Sequence, residues 1–136
     1  MSQKLAFEVV LSTTMDEAIA RLTEALKAQG FGVLTRIDTP KVLKEKLNVE
    51  FRPYVMLGVC NPQLAYEALN INPAVGLFLP CPVVVEEVSD GVLISIGDPE
   101  VVLNHQTFQD SDIGCEVAPE ARRRLMAAAN ALRGEE

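Results

Sequence analysis

Tryptophan is absent from this 136-residue chain, and the other aromatics amount to five Phe and two Tyr. A core must therefore be assembled from Leu, Val, Ile and Ala. Histidine occurs once, at His105. A Ser-His-Asp triad would have to run through it, and no GxSxG elbow supplies the serine. The three cysteines form no CxxC pair, and an odd number of them does not describe a secreted disulfide framework. There is no phosphate-cradling glycine loop, neither GxGxxG after a strand nor a P-loop. Basic residues are short as well: 12 against 19 acids, a net charge of -7. That balance excludes a general affinity for nucleic acid, which needs a cationic footprint. It equally disfavours an anionic membrane surface. No apolar run approaches the roughly 18 residues of a membrane span. The longest, 74–85, is broken by Gly76, Pro80 and Pro82. The opening MSQKLAFEVVLSTTMDEA turns polar too early for a signal peptide. These absences lead to the expectation of one cytoplasmic domain over residues 1–136.

What is present suffices for a core without metals or disulfides, since 49% of the residues are apolar. Residues 5–11 read as a strand. Thr14-Met-Asp-Glu17 matches a capping box, and apolar residues at 15, 18, 19, 22, 25 and 26 give one helical face that Gly30 ends. Residues 31–38 read as a strand with imperfect alternation. Thr39-Pro40 opens a short polar helix. Residues 54–60 are apolar on both faces and predict an interior strand. Asn61-Pro62 then starts a helix that Asn72-Pro73 ends. Extended segments fill 77–88, interrupted at Pro80-Cys81-Pro82, and Ser89-Asp90-Gly91 turns the chain into a return strand at 91–97. Residues 103–117 are polar and aperiodic and read as a loop. A last helix begins near Pro119, with Arg122, Arg123 and Arg124 on its solvated side. The order β-α-β-α-β-α-β-β-α predicts a two-layer α+β domain. Its sheet should be mixed, mostly antiparallel, of about five strands, with helices packed on one face.

Several of these pieces together resemble a known family. They are Phe31-Gly32-Val33-Leu34-Thr35-Arg36-Ile37-Asp38, Lys44-Glu45-Lys46-Leu47, YVMLGVCNPQLAYEA at 54–68, Gly76-Leu77-Phe78-Leu79-Pro80-Cys81 and Asp98-Pro99. The set is similar to the bacterial and archaeal domain of unknown function 302. The pairing of CNP with LPC is its specific part. The resemblance implies a small α+β fold and a homodimer, with no established biochemical activity. Pro82 departs from the family, whose members usually carry a polar residue there.

Cys60 and Cys81 are the leading candidates. Cys60 is expected at a strand end beside a helix N-terminus, where orphan N–H groups and the helix dipole favour a thiolate. If Pro80-Cys81-Pro82 packs over the same end, Cys60, Asn61 and Cys81 frame a small pocket with two sulfurs. Its uses would be a reactive thiol pair, a disulfide switch, or a soft-metal or sulfur-carrying site. The alternative is that both cysteines are small buried hydrophobes. A four-ligand metal set of Cys60, Cys81, His105 and Cys115 would require the polar loop to fold back, and its scattered spacing does not define a metal site. No cofactor is defined either. Arg52, at the entrance to the strand 54–60, could hold a carboxylate or phosphate in its fork, or simply pair with Glu50 or another acid. Three readings follow. One is a homodimer with a ligand or thiol pocket. The second is a protein-interaction module with structural cysteines, in which exposed Phe51, Tyr54 or Phe108 matter. The third is an enzyme acting on a small anion anchored by Arg52.

Overall fold

A computed structural model describes residues 4–134. Strands β1 (Ala6–Leu11), β2 (Gly32–Asp38), β3 (Tyr54–Cys60), β4 (Cys81–Val88) and β5 (Gly91–Gly97) form one sheet in the order β1-β5-β4-β3-β2. All neighbouring pairs are antiparallel. The sheet expected as mostly antiparallel is thus wholly so. The two strands first in sequence lie at opposite edges, and helix α1 (Met15–Ala28) carries the chain from one edge to the other. Fourteen helical residues span about 21 Å. Four inter-strand spacings amount to about 19 Å. The length of α1 therefore matches the width it crosses.

Alternate strand residues point to one face, where Val9, Leu11, Val55, Leu57, Val59, Val83, Val85, Val92, Ile94 and Ile96 are all buried. Against them pack Ala18, Leu22 and Leu26 of α1, Leu64 and Ala68 of α3 (Pro62–Ile71), and the Leu125–Leu132 stripe of the last helix, Ala118–Leu132. Each such Val, Leu or Ile contributes about 1.5–3 kcal/mol on leaving water. The other face carries Glu8, Val10, Met56, Val84, Glu86, Leu93 and Ser95, all exposed or half-buried. The helix ends follow local chemistry. Thr14 Oγ1 accepts the Glu17 N–H at 3.2 Å. At the far end of α1 the Phe31 and Gly30 N–H groups donate to the Leu26 and Lys27 carbonyls, with Gly30 at φ 81°. That left-handed step is cheap only for glycine.

Two expectations need correction. Residues 103–117 are not an irregular loop. Helix α4 (Pro99–Val102) leads into this region, and helix α5 (Gln106–Gln109) and a π-turn (Ile113–Val117) lie within it, ahead of the last helix, hereafter α6. Leu103, Phe108, Ile113 and Val117 are buried anchors. They recur every four or five residues, a spacing that fits neither helical nor strand periodicity, so the polar residues between them dominate the pattern. Phe108 sits edge-on to Phe78 at 5.8 Å and is no exposed contact residue. In the segment 77–88, Leu77 and Phe78 are not extended: Pro73–Phe78 is a 3-10 turn capped by Asn72, and β4 runs unbroken from Cys81.

The imperfect alternation of β2 has a cause. A bulge between Val33 and Thr35 inserts Leu34 without a partner on β3. Every residue of β2 is exposed, and helix α2 (Thr39–Leu47) buries none of its residues. From 32 to 53 not one residue is buried. The opposite edge is guarded, since the Arg133 guanidinium donates to the Glu8 carbonyl of β1 at 2.6 Å.

Candidate functional site

Cys60 ends β3 and Cys81 begins β4. Val59 pairs with Cys81 across the ladder, so Cys60 stands one step beyond that pair. Asn61 follows as the N-cap of α3, its Oδ1 accepting the Leu64 N–H at 3.1 Å. The two sulfur residues and Asn61 line one narrow cavity of about 30 Å³, closed by Phe31, Leu64, Val75 and Leu79 and by Ala121 of α6. A single water needs about 10–15 Å³ by the same kind of measure, so the space admits only a few non-hydrogen atoms. Its walls are almost wholly apolar.

All three cysteines are free thiols. Burial pushes the Cys60 thiol up, and burial together with the neighbouring Cys60 pushes Cys81 from 9.0 to about 11. This reverses the thiolate expected from the helix N-terminus. The reason lies in the local sequence. Pro62 has no N–H to offer at the first turn, and the Leu64 N–H is already held by Asn61. Desolvation then outweighs the dipole. Neutral thiols are weak nucleophiles and soft, polarisable surface.

Asn61 is only 6% exposed. Its Oδ1 is committed to the cap, while among the described residues its Nδ2 donates to no protein group. Its amide packs directly against Gly30, which has no side chain. A Cβ built there would lie 2.9 Å from Asn61 Nδ2 and 3.6 Å from Arg124 Nη1. Arg124, part-buried on α6, is steadied by its Nε donating to Glu120 at 2.7 Å. Arg123 and then Arg124 hold the Glu120 carboxyl down at about 2.

The remaining candidates lie elsewhere. Arg52 Nη2 reaches Glu86 Oε1 at 2.8 Å, and its guanidinium lies over the rings of Phe51 and Tyr54 at 4.8 and 5.6 Å. His105 caps α5, with Nδ1 accepting the Thr107 N–H. Cys115 is exposed, its sulfur near the Gln109 carbonyl. Among the described residues no three metal-binding side chains gather, so Cys60, Cys81, His105 and Cys115 do not form a ligand set.

Sequence reasoning missed Gly30 and Arg124 as parts of this corner. Gly30 was explained in full by the end of α1. The arginine run read as a solvated face, yet Arg122 binds buried Asp98 at 3.2 Å and stacks on Phe7. A usable signal existed: Arg124 is three residues from Ala121 and one from Leu125, at the border of the buried stripe.

A family model, domain of unknown function DUF302, matches residues 7–132. A crystal structure of uncharacterized conserved protein DUF302 from Bacillus stearothermophilus is 37% identical, covering 96% of this chain and 100% of that one, with a TM-score of 0.85. No curated protein matches.

Proposed function

The chain belongs to the DUF302 family, a domain family of unknown function, and from that premise we propose that it is a cytoplasmic, homodimeric domain that binds a small ligand in the cavity framed by Cys60, Asn61 and Cys81. One observation carries this reading: the two thiols and the capping amide line a single apolar cavity. The buried part of the ligand is then small and apolar. The raised thiols weigh against nucleophilic or fast redox chemistry and favour binding. Xenon provides a direct test. Under xenon pressure the methyl NMR signals of Leu64, Val75 and Leu79 should shift while those of Ile94 stay put. Cys81→Met, which fills the space, should silence the response and keep the fold. Native protein without any response would overturn the pocket. Mass spectra under native conditions then show whether a ligand accompanies the protein from the cell.

Dimerisation is supported by the arm at 32–53, which is well formed yet buries nothing. A helix as short as α2 needs tertiary packing to persist in water. Leu34, Ile37, Val42 and Leu47 are exposed on this arm. Antiparallel pairing of two β2 strands about Ile37 would set Arg36 opposite the partner's Asp38, twice over. Ile37→Glu should convert a dimer into a monomer in sedimentation; a native protein that sediments as a monomer would remove this part. For the location, no helix among the described residues is long and apolar enough to cross a membrane. The free thiols fit a reducing compartment.

A further inference from the structure

We propose that the thiol cavity is the first of two chambers, and that its ligand is an unbranched hydrocarbon chain that passes Leu79 and Cys81 into the second. This rests on the pocket reading and names its ligand class.

The first argument is position. A smaller cavity of about 10 Å³ adjoins the thiol cavity, and the two share Leu79, Cys81, Pro99 and Leu103 as walls. Phe78, Gly97 and Val102 close its far side. By the same kind of measure this second space holds about one water-sized group. It is too small to be a site by itself. It lies where it can take the end of a chain whose body fills the first chamber.

The second argument is composition. The second chamber, like the first, is lined almost wholly by apolar surface. A charged or polar group drawn past Leu79 would lose its water and gain no partner. Methyl and methylene groups lose nothing there, and each one buried is worth about a fourfold gain in affinity.

The third argument is the partition. Cys81 is fixed in register with Val59 on the β3–β4 ladder. Phe78 is fixed edge-on against Phe108. Leu79 stands between them, half-buried, and belongs neither to the 3-10 turn nor to β4. Its N–H reaches the Gly76 carbonyl only at 3.5 Å, beyond the usual range of such bonds. A leucine so placed can turn between staggered rotamers without breaking a strand pair. One side chain therefore separates the chambers, and its rotation joins them. A straight chain threads an opening of that width, and a branched one does not.

The test is an NMR titration of methyl-labelled protein with two isomers, 1-butanol and tert-butanol, which differ in branching alone. Val75 lines only the first chamber and Val102 only the second. In native protein 1-butanol should shift the methyls of both, and tert-butanol those of Val75 only. The linear isomer should bind about tenfold more tightly, the scale of two methylenes buried beyond the partition. Leu79→Ala removes the partition, so tert-butanol should then reach Val102 and the affinity ratio should fall close to one. Val102→Phe fills the second chamber and should also erase the preference, while the xenon response of Val75 persists. If 1-butanol moves Val75 alone, or the isomers bind alike in native protein, the second chamber is overturned and the first stands. A ratio that survives Leu79→Ala overturns the partition. If neither alcohol nor xenon perturbs Val75, the pocket reading itself fails, and this one with it.

Discussion

Cys81 offers a quantitative test of how its corner is built. Its thiol sits at about 11 in place of the ordinary 9.0, first because burial penalises the thiolate and then because Cys60 is close. At pH 8 a thiol of 9.0 is about one-tenth ionised and one of 11 about one-thousandth, so alkylation by iodoacetamide should run about a hundredfold slower at Cys81 than at free cysteine. Peptide mass spectrometry reads each cysteine separately. The same displacement must appear in stability. Below pH 9 folded and unfolded chains both keep the proton, and the contribution is complete. Between pH 9 and 11 the unfolded chain loses the proton while the folded chain retains it, so stability falls. Above about 11 the contribution is gone. Its size is about 3 kcal/mol. Urea unfolding of native protein and Cys81→Ala, measured side by side from pH 8 to 11.5, isolates it. The gap between the two proteins should shrink by about 2–3 kcal/mol across that range. A gap that does not change with pH, or alkylation at pH 8 as fast as free cysteine, would refute the reasoning.

Asn61→Ala should destabilise the fold by about 1 kcal/mol through loss of the α3 cap, and Asn61→Asp by much less; urea midpoints decide. Phe108→Ala should cost about 3–5 kcal/mol, because its ring is fully enclosed against Phe78. A loss below 1 kcal/mol would mean that the segment around α5 is not part of the core. Arg52→Ala should cost less than about 1 kcal/mol in thermal melts and less again in high salt, because half of its side chain is exposed in the pair with Glu86.

The parts of the molecule that were legible in the sequence are those governed by neighbours in the chain. Thr14, Gly30, Asn61-Pro62 and Asp90-Gly91 act within a few residues of themselves, and the helices and hairpin they mark are where they point. The parts that were not legible depend on distant partners. Nothing near Leu103, Phe108, Ile113 and Val117 signals that they are buried, since the surface that receives them is built by other segments. The state of the thiols was misjudged for a related reason. The dipole beside Cys60 is visible in a string of letters, but the walls that desolvate it come from α3, α6 and the turn at Pro73–Phe78. Arg124 entered the corner only once α6 was laid beside the end of α1, a contact that spans most of the chain.

The two edges of the sheet are finished differently. β1 has its Glu8 carbonyl claimed by Arg133, whereas β2 is exposed along its whole length. If β2 meets a second β2 about Ile37, residues 36–38 of each copy become paired across the joint. The joined sheet would then have β1 at both extremities, each with its Glu8 carbonyl held by Arg133. Such an assembly offers less open edge from which to polymerise. The asymmetry of one short molecule would thereby set a particle of two and keep a bare strand from seeding a fibre.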